Sequence, residues 1–139
     1  MKKILFIVNV DWFFVSHRLA IAQEAKRQGY EVHIATTITN KLDVLINNGL
    51  IVHNLKLTRG RVNFSSLFEL WNFFTIIKAV DPDLVHLVTI KPVLLGGLAA
   101  RLAAVPAVVS AVSGLGIVFS PNKLKYKFLR RFLYPLFRL

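Results

Sequence analysis

The chain has 139 residues, enough for one domain with a real core and too few for two complete ones. It contains no cysteine, which excludes disulfides and thiolate metal sites, and its apolar start, Ile4 to Val8, reads as a strand rather than a secretory signal. The net charge of +11 is unevenly spread. All seven acidic residues precede Leu84, and eight Lys or Arg follow with no acid among them, a pattern that suits an anionic partner or a solvated basic face.

Ile4 to Val8 has the continuous apolar character of a parallel strand buried on both sides. Asn9 to Ser16 then reads as a loop, with Ser16 capping a helix that carries Leu19, Ala20, Ala22, Gln23 and Lys26 and ends near Gly29. "YEVHIAT" is a second strand, "KLDVLINNGL" a short helix closed by Gly49, and "IVHNLKL" a third strand. After the basic loop "TRGRVNF", a helix is predicted from Ser65 or Ser66 to Val80, stopped by "DPD" because Pro82 cannot continue it. "LVHLVT" is a fourth strand, "KPVLLGGLAARLAAV" a helix with Pro92 in its first turn, and "AVVSAV" a fifth strand.

Strands alternating with helices over short connections predict a Rossmann-like, doubly wound parallel sheet of the α/β class. Leu102 to Phe119 is uncharged over 18 residues, the length of a spanning helix, yet Pro106, the β-branched run and Gly114 with Gly116 argue for a buried strand and a turn.

Ligands of such sheets bind beyond the carboxyl ends of the strands, which directs attention to Asp11, Ser16, His17, Arg18, Arg59, Arg61, Thr89, Lys91 and the "SGLG" at Ser113 to Gly116. The first loop has no G-x-G-x-x-G, so a dinucleotide fingerprint is missing. Ser113, Gly114 and Gly116 could present N–H groups to a phosphate or form a plain tight turn. His17, expected at a helix N-terminus, fits a general base, a donor to phosphate, or a capping residue. No metal spacing links His33, His53 and His86, and no serine lies in G-x-S-x-G.

Wound as a helix, "NKLKYKFLRRFLYPLFRL" collects Lys123, Lys127, Arg130 and Arg131 on one stripe and Phe128 and Phe132 on the other side. That suits either an anionic membrane interface or an amphipathic helix packed on a sheet. Nucleic acid is disfavoured, since the aromatics do not interleave with the basic stripe.

"KILFIVNVDWFFVSHRLAIAQEAKRQGYEVHIAT", "DLVHLVTIKPVLLGGLAAR" and "VSAVSGLGIVFS", in that order, resemble the amino-terminal domain of family 4 GT-B glycosyltransferases, specifically bacterial enzymes that build polysaccharides on polyprenyl diphosphate. The resemblance covers nearly the whole chain. It implies a retaining enzyme whose amino-terminal domain receives a polyprenyl-diphosphate-linked saccharide, while a second domain binds the nucleotide-sugar with paired glutamates, and it implies neither metal nor cofactor. It further implies that "DWFFVSHR" shapes an acceptor wall, with His17 catalytic and Asp11, Ser16, Arg18, Arg59, Arg61, Thr89, Lys91, Ser113, Gly114 and Gly116 on the acceptor or its phosphate. The expected location is the inner face of the plasma membrane, held by Lys123, Lys127, Phe128, Arg130, Arg131 and Phe132. Residues 1–139 then read as an incomplete amino-terminal domain, inactive by itself. The alternative is a basic Rossmann-like module that binds nucleic acid or anionic membrane without catalysis.

Overall fold

The computed structural model describes residues 1–58 and 64–112. Five parallel strands, β1 (Lys3–Val10), β2 (Glu31–Thr37), β3 (Ile51–Asn54), β4 (Leu84–Val88) and β5 (Ala107–Ala111), lie in the order β3-β2-β1-β4-β5. β1 is central because its apolar run needs cover on both faces, and Leu5, Phe6, Ile7 and Val8 are all buried. Leu5 is flanked by His33 on one side and Val85 on the other. The sheet is the doubly wound one expected from the alternation of elements, and its order reverses between β1 and β4.

Right-handed crossovers put the helices on opposite faces as the chain steps first one way and then the other. α1 (Asp11–His17), α2 (Leu19–Arg27) and α3 (Leu42–Asn47) supply Phe14, Ala22 and Leu45 to the layer holding Phe6, Val8 and Ile34. α4 (Ser65–Val80), a π-helical turn (Pro92–Gly96) and α5 (Gly97–Leu102) supply Phe73, Val93 and Ala99 to the layer holding Leu5, Ile7 and Leu87. Gly29 and Gly49, at φ +87° and +67°, stand just past α2 and α3, where the left-handed turn favours glycine.

Four local expectations differ from what forms. No loop separates β1 from the first helix: α1 begins at Asp11, whose carboxylate accepts the Trp12 N–H at 2.8 Å. Ser16 therefore lies inside α1, and its hydroxyl donates to the Trp12 carbonyl at 2.9 Å instead of capping α2. β3 ends at Asn54 rather than Leu57, and the helix expected after Lys91 opens into a π turn. Gly96 closes that turn against the sheet: a Cβ there would come 2.8 Å from Leu87 Cδ2 and 3.7 Å from Ile7 Cδ1. Of the uncharged stretch from Leu102, the part up to Val112 contains Pro106 and β5, and no helix among the described residues is long and apolar enough to cross a membrane.

The sheet also carries a pH dependence. His33 Nδ1 lies 2.9 Å from His53 Nε2, and His86 stacks on the Phe6 ring with centroids 5.0 Å apart. Burial lowers the pKa of His53, with His33 adding to it, and burial lowers that of His86, with the Arg18 charge adding. Unfolded histidines then bind protons that folded ones refuse, so stability is full above about pH 6.5 and declines as the pH falls below it. Urea midpoints should drop on acidification through that range, and drop less in His86→Phe; equal slopes in parent and variant would remove His86 from this account.

Candidate functional site

Three backbone irregularities meet at the carboxyl ends of β1 and β4. The β1–β2 register shifts between Ile7 and Val10, an irregularity beside which Asn9 is exposed between the buried Val8 and Val10. Thr89, directly after β4, has φ +74°, a conformation that costs a β-branched residue about 1–3 kcal/mol. The π turn Pro92–Gly96 follows at once. Bulges, left-handed non-glycine residues and π turns concentrate at functional sites because each re-aims groups that regular structure would point elsewhere.

Between them opens a cavity of about 540 Å³. Asn9, Trp12, Thr37, Thr58, Thr89 and Lys91 line it, with Val10, Thr39, Leu57 and Ile90 completing the walls. It sits where the strand order reverses, the location at which ligands enter open α/β sheets. Its polar lining is four threonines with Asn9 and Lys91. Thr37 donates to the Leu55 carbonyl at 2.7 Å and accepts from the Leu57 N–H at 3.4 Å, and Thr58 donates to Glu69 Oε1 at 2.7 Å and accepts from the Lys91 ammonium at 3.2 Å, which leaves each oxygen one further lone pair. The buried Thr89 Oγ1 has no partner among the described residues. Trp12, 47% exposed, presents an indole beside these hydroxyls.

A glycosyl transferase 4-like family model matches residues 3–138. The chain belongs to this family. Solved structures agree in fold. MurG of Acinetobacter baumannii is 23% identical with a TM-score of 0.64, the match covering 82% of this chain and 37% of that one. A glycosyltransferase of Rickettsia africae is 18% identical with a TM-score of 0.70, covering 93% and 33%. A protein of Listeria monocytogenes described as a UDP-N-acetylglucosamine 2-epimerase is 15% identical with a TM-score of 0.66, covering 98% and 37%. The chain thus spans about a third of the length of these proteins, and at such identities the likeness establishes the GT-B type of Rossmann-like fold and nothing finer. Among curated protein sequences, nothing matches.

Within this glycosyl transferase 4-like domain, the residues singled out from sequence scatter. Thr89 and Lys91 line the cavity. Lys91, however, is engaged: its ammonium donates to the Thr58 carbonyl at 2.9 Å and straddles the carboxylate of Glu69 at 2.9 and 2.7 Å. Asp11 lies under the cavity wall, fully buried, and accepts from the N–H groups of Trp12, Thr39, Asn40 and Lys41 and from the Thr39 hydroxyl. Burial works to raise its pKa, but the bonds from Thr39, Lys41 and Trp12 prevail and hold it below the usual carboxylate value.

His17 closes α1 instead of opening a helix, because α1 starts six residues earlier than its cap was expected to allow. Its exposed ring stacks on Phe13 at 4.2 Å, with Nδ1 3.2 Å from the Phe13 carbonyl. Arg18 Nη1 donates to the His17 carbonyl at 3.0 Å, and Nε is buried without a partner among the described residues. Arg59, Arg61, Ser113, Gly114 and Gly116 lie outside the described residues, as do Lys123, Lys127, Phe128, Arg130, Arg131 and Phe132. Sequence reasoning passed over Asn9, Trp12, Thr37 and Thr58 as individual lining residues, although all four are at strand ends where that rule points. Glu69 gave no signal, being one acid inside an apolar helix.

Proposed function

We propose that the chain is the acceptor-receiving part, the amino-terminal domain, of a retaining glycosyltransferase. The enzyme would move a sugar from a nucleotide-sugar, held mainly by another domain, to a saccharide on polyprenyl diphosphate during surface polysaccharide synthesis. The observation that carries this reading is the cavity at the strand-order reversal, whose mostly apolar wall carries four threonines, in a chain of a glycosyltransferase family. Trp12 offers a flat apolar face for the C–H side of a sugar ring, and Asn9, Thr37 and Thr58 offer partners for its hydroxyls. The charge of Lys91 is already met by Glu69, so the cavity suits a neutral saccharide better than a diphosphate.

In the reaction the acceptor hydroxyl oxygen bonds to the anomeric carbon, the bond from that carbon to the nucleoside diphosphate breaks, and the hydroxyl proton leaves with the departing phosphate. His17 positions the reacting groups or stabilises the developing phosphate charge, with Arg18 beside it in the chain. The enzyme works at the inner face of the plasma membrane, where the basic residues Lys123, Lys127, Arg130 and Arg131, with Phe128 and Phe132, add attraction to anionic headgroups.

The test uses the enzyme that contains this chain, with labelled nucleotide-sugar and a polyprenyl-diphosphate saccharide. His17→Ala is expected to lower kcat about 10²-fold. Trp12→Ala should raise the acceptor KM and leave the nucleotide-sugar KM unchanged. Unchanged acceptor KM in the Trp12 variant, or transfer only to soluble acceptors, overturns the reading.

A further inference from the structure

Phe13 and His17 stand one helical turn apart on α1, so their side chains meet on one face of it. The two rings are 15° from parallel with centroids 4.2 Å apart, and His17 Nδ1 lies 3.2 Å from the Phe13 carbonyl. One residue thus sets both the plane of the imidazole, through its ring, and the direction of one nitrogen, through its carbonyl.

That second contact decides where the proton sits. A carbonyl oxygen has none to give, so in the neutral ring Nδ1 carries the proton and Nε2 the lone pair. An unrestrained imidazole can take either form. Held this way, Nε2 accepts hydrogen bonds and cannot donate one, so the group it can hold is a hydroxyl and not an ionised phosphate oxygen. Of the two roles open to His17, positioning and stabilisation of phosphate charge, this arrangement fits the first.

The backing is firm. Phe13 is half-buried against the layer that holds Phe6, Val8 and Phe14. Asp11 anchors the start of α1 with the hydrogen bonds it accepts from Trp12, Thr39, Asn40 and Lys41, and the Ser16 hydroxyl bonds back to the Trp12 carbonyl at 2.9 Å. Trp12, a wall of the cavity, meets the Phe13 ring edge-on with centroids 5.9 Å apart. The row Trp12, Phe13, His17 therefore leads from the cavity wall to the imidazole, and a side chain held by such packing keeps its geometry when a ligand arrives.

We propose that Phe13 is a positioning residue for glycosyl transfer: its carbonyl and ring hold His17 with the proton on Nδ1, so that Nε2 takes a hydrogen bond from a non-reacting hydroxyl of the acceptor saccharide. The reacting hydroxyl keeps its proton for the departing phosphate. What His17 meets rests on the acceptor reading above; the state of its ring does not, and is read on the chain alone without substrate.

With isotope-labelled histidine under mildly alkaline conditions, long-range proton–nitrogen correlation spectra should show His17, assigned by its loss in His17→Gln, protonated on Nδ1. Phe13→Leu should give a mixture of the two forms, and Phe13→Tyr, which keeps the ring, should retain the parent pattern. In the enzyme that contains this chain, Phe13→Leu should lower kcat about tenfold and leave both KM values within about twofold. In a His17→Ala background the same change should cost nothing further. A parent with the His17 proton on Nε2 overturns the proposal. So does a Phe13→Leu loss of equal size with and without His17, in an enzyme that His17→Ala still cripples, which is the result expected of a residue that only packs the domain. Parental turnover in His17→Ala rejects the role given to His17 in transfer, and the proposal with it, whatever form the ring takes.

Discussion

Asp11→Ala is expected to destabilise the chain by about 3–5 kcal/mol, measured as the urea midpoint at neutral pH multiplied by the slope of the transition. The size follows from what the carboxylate does. It is fully buried and accepts five hydrogen bonds, four from backbone N–H groups, at 2.5 to 3.1 Å. Three of those N–H groups, from Thr39, Asn40 and Lys41, lead directly into α3, where a negative charge also meets the positive end of the helix dipole. Removing the acceptor leaves these donors facing one another in a dry site.

Asp11→Asn should lie between parent and alanine variant, because one carbonyl oxygen remains while an NH₂ group opposes N–H donors. The pH dependence has a definite sign. The folded pKa is lowered, so this stabilisation is present above the unfolded carboxylate value and is lost as the pH falls through the folded one. An alanine variant as stable as the parent would return Asp11 to the list of groups free to hold a ligand.

The same residue shows why part of the site was not legible in the sequence. β1, β4, β5 and the ends of α4 follow from local signals: a continuous apolar run, Pro82 after Asp81, and β-branched residues between breakers. α1 does not. Its start depends on a carboxylate whose other partners are 28 to 30 residues away, and no window of neighbouring residues contains that information. The π turn likewise depends on how closely Gly96 approaches Leu87, and the left-handed Thr89 is a residue whose type argues against its conformation. The bulge, the left-handed Thr89 and the π turn lie at the cavity, whereas the left-handed Asp81 and Ala104 only end α4 and α5. Topology located the site through the strand ends. The identities of its lining residues needed the bulge and the packing of α1, which turn Trp12 into a wall.

The pairing of Lys91 with Glu69 gives the other large expected effect and separates a structural cation from a phosphate ligand. Lys91 is 14% exposed and Glu69 3%, so both charges depend on each other and on the carbonyl and hydroxyl of Thr58. Burial works to raise the Glu69 pKa, yet the hydrogen bonds from Lys91 and Thr58 and the Lys91 charge keep it low, and the carboxylate stays ionised at neutral pH. Lys91→Ala should therefore cost about 3–5 kcal/mol, because it strands a buried carboxylate beside the cavity. Glu69→Gln/Lys91→Met removes both charges while keeping length and volume, and most of that loss should be recovered, since a buried pair is commonly close to neutral against well-packed substitutes. Inorganic diphosphate adds the discriminating arm. With Lys91 neutralised by Glu69, the parent should bind it weakly, and Glu69→Gln, which frees the ammonium, should bind it several-fold more tightly. A parent that binds diphosphate strongly and loses it in Lys91→Ala, with stability unchanged, would make Lys91 a phosphate ligand and sink the structural assignment.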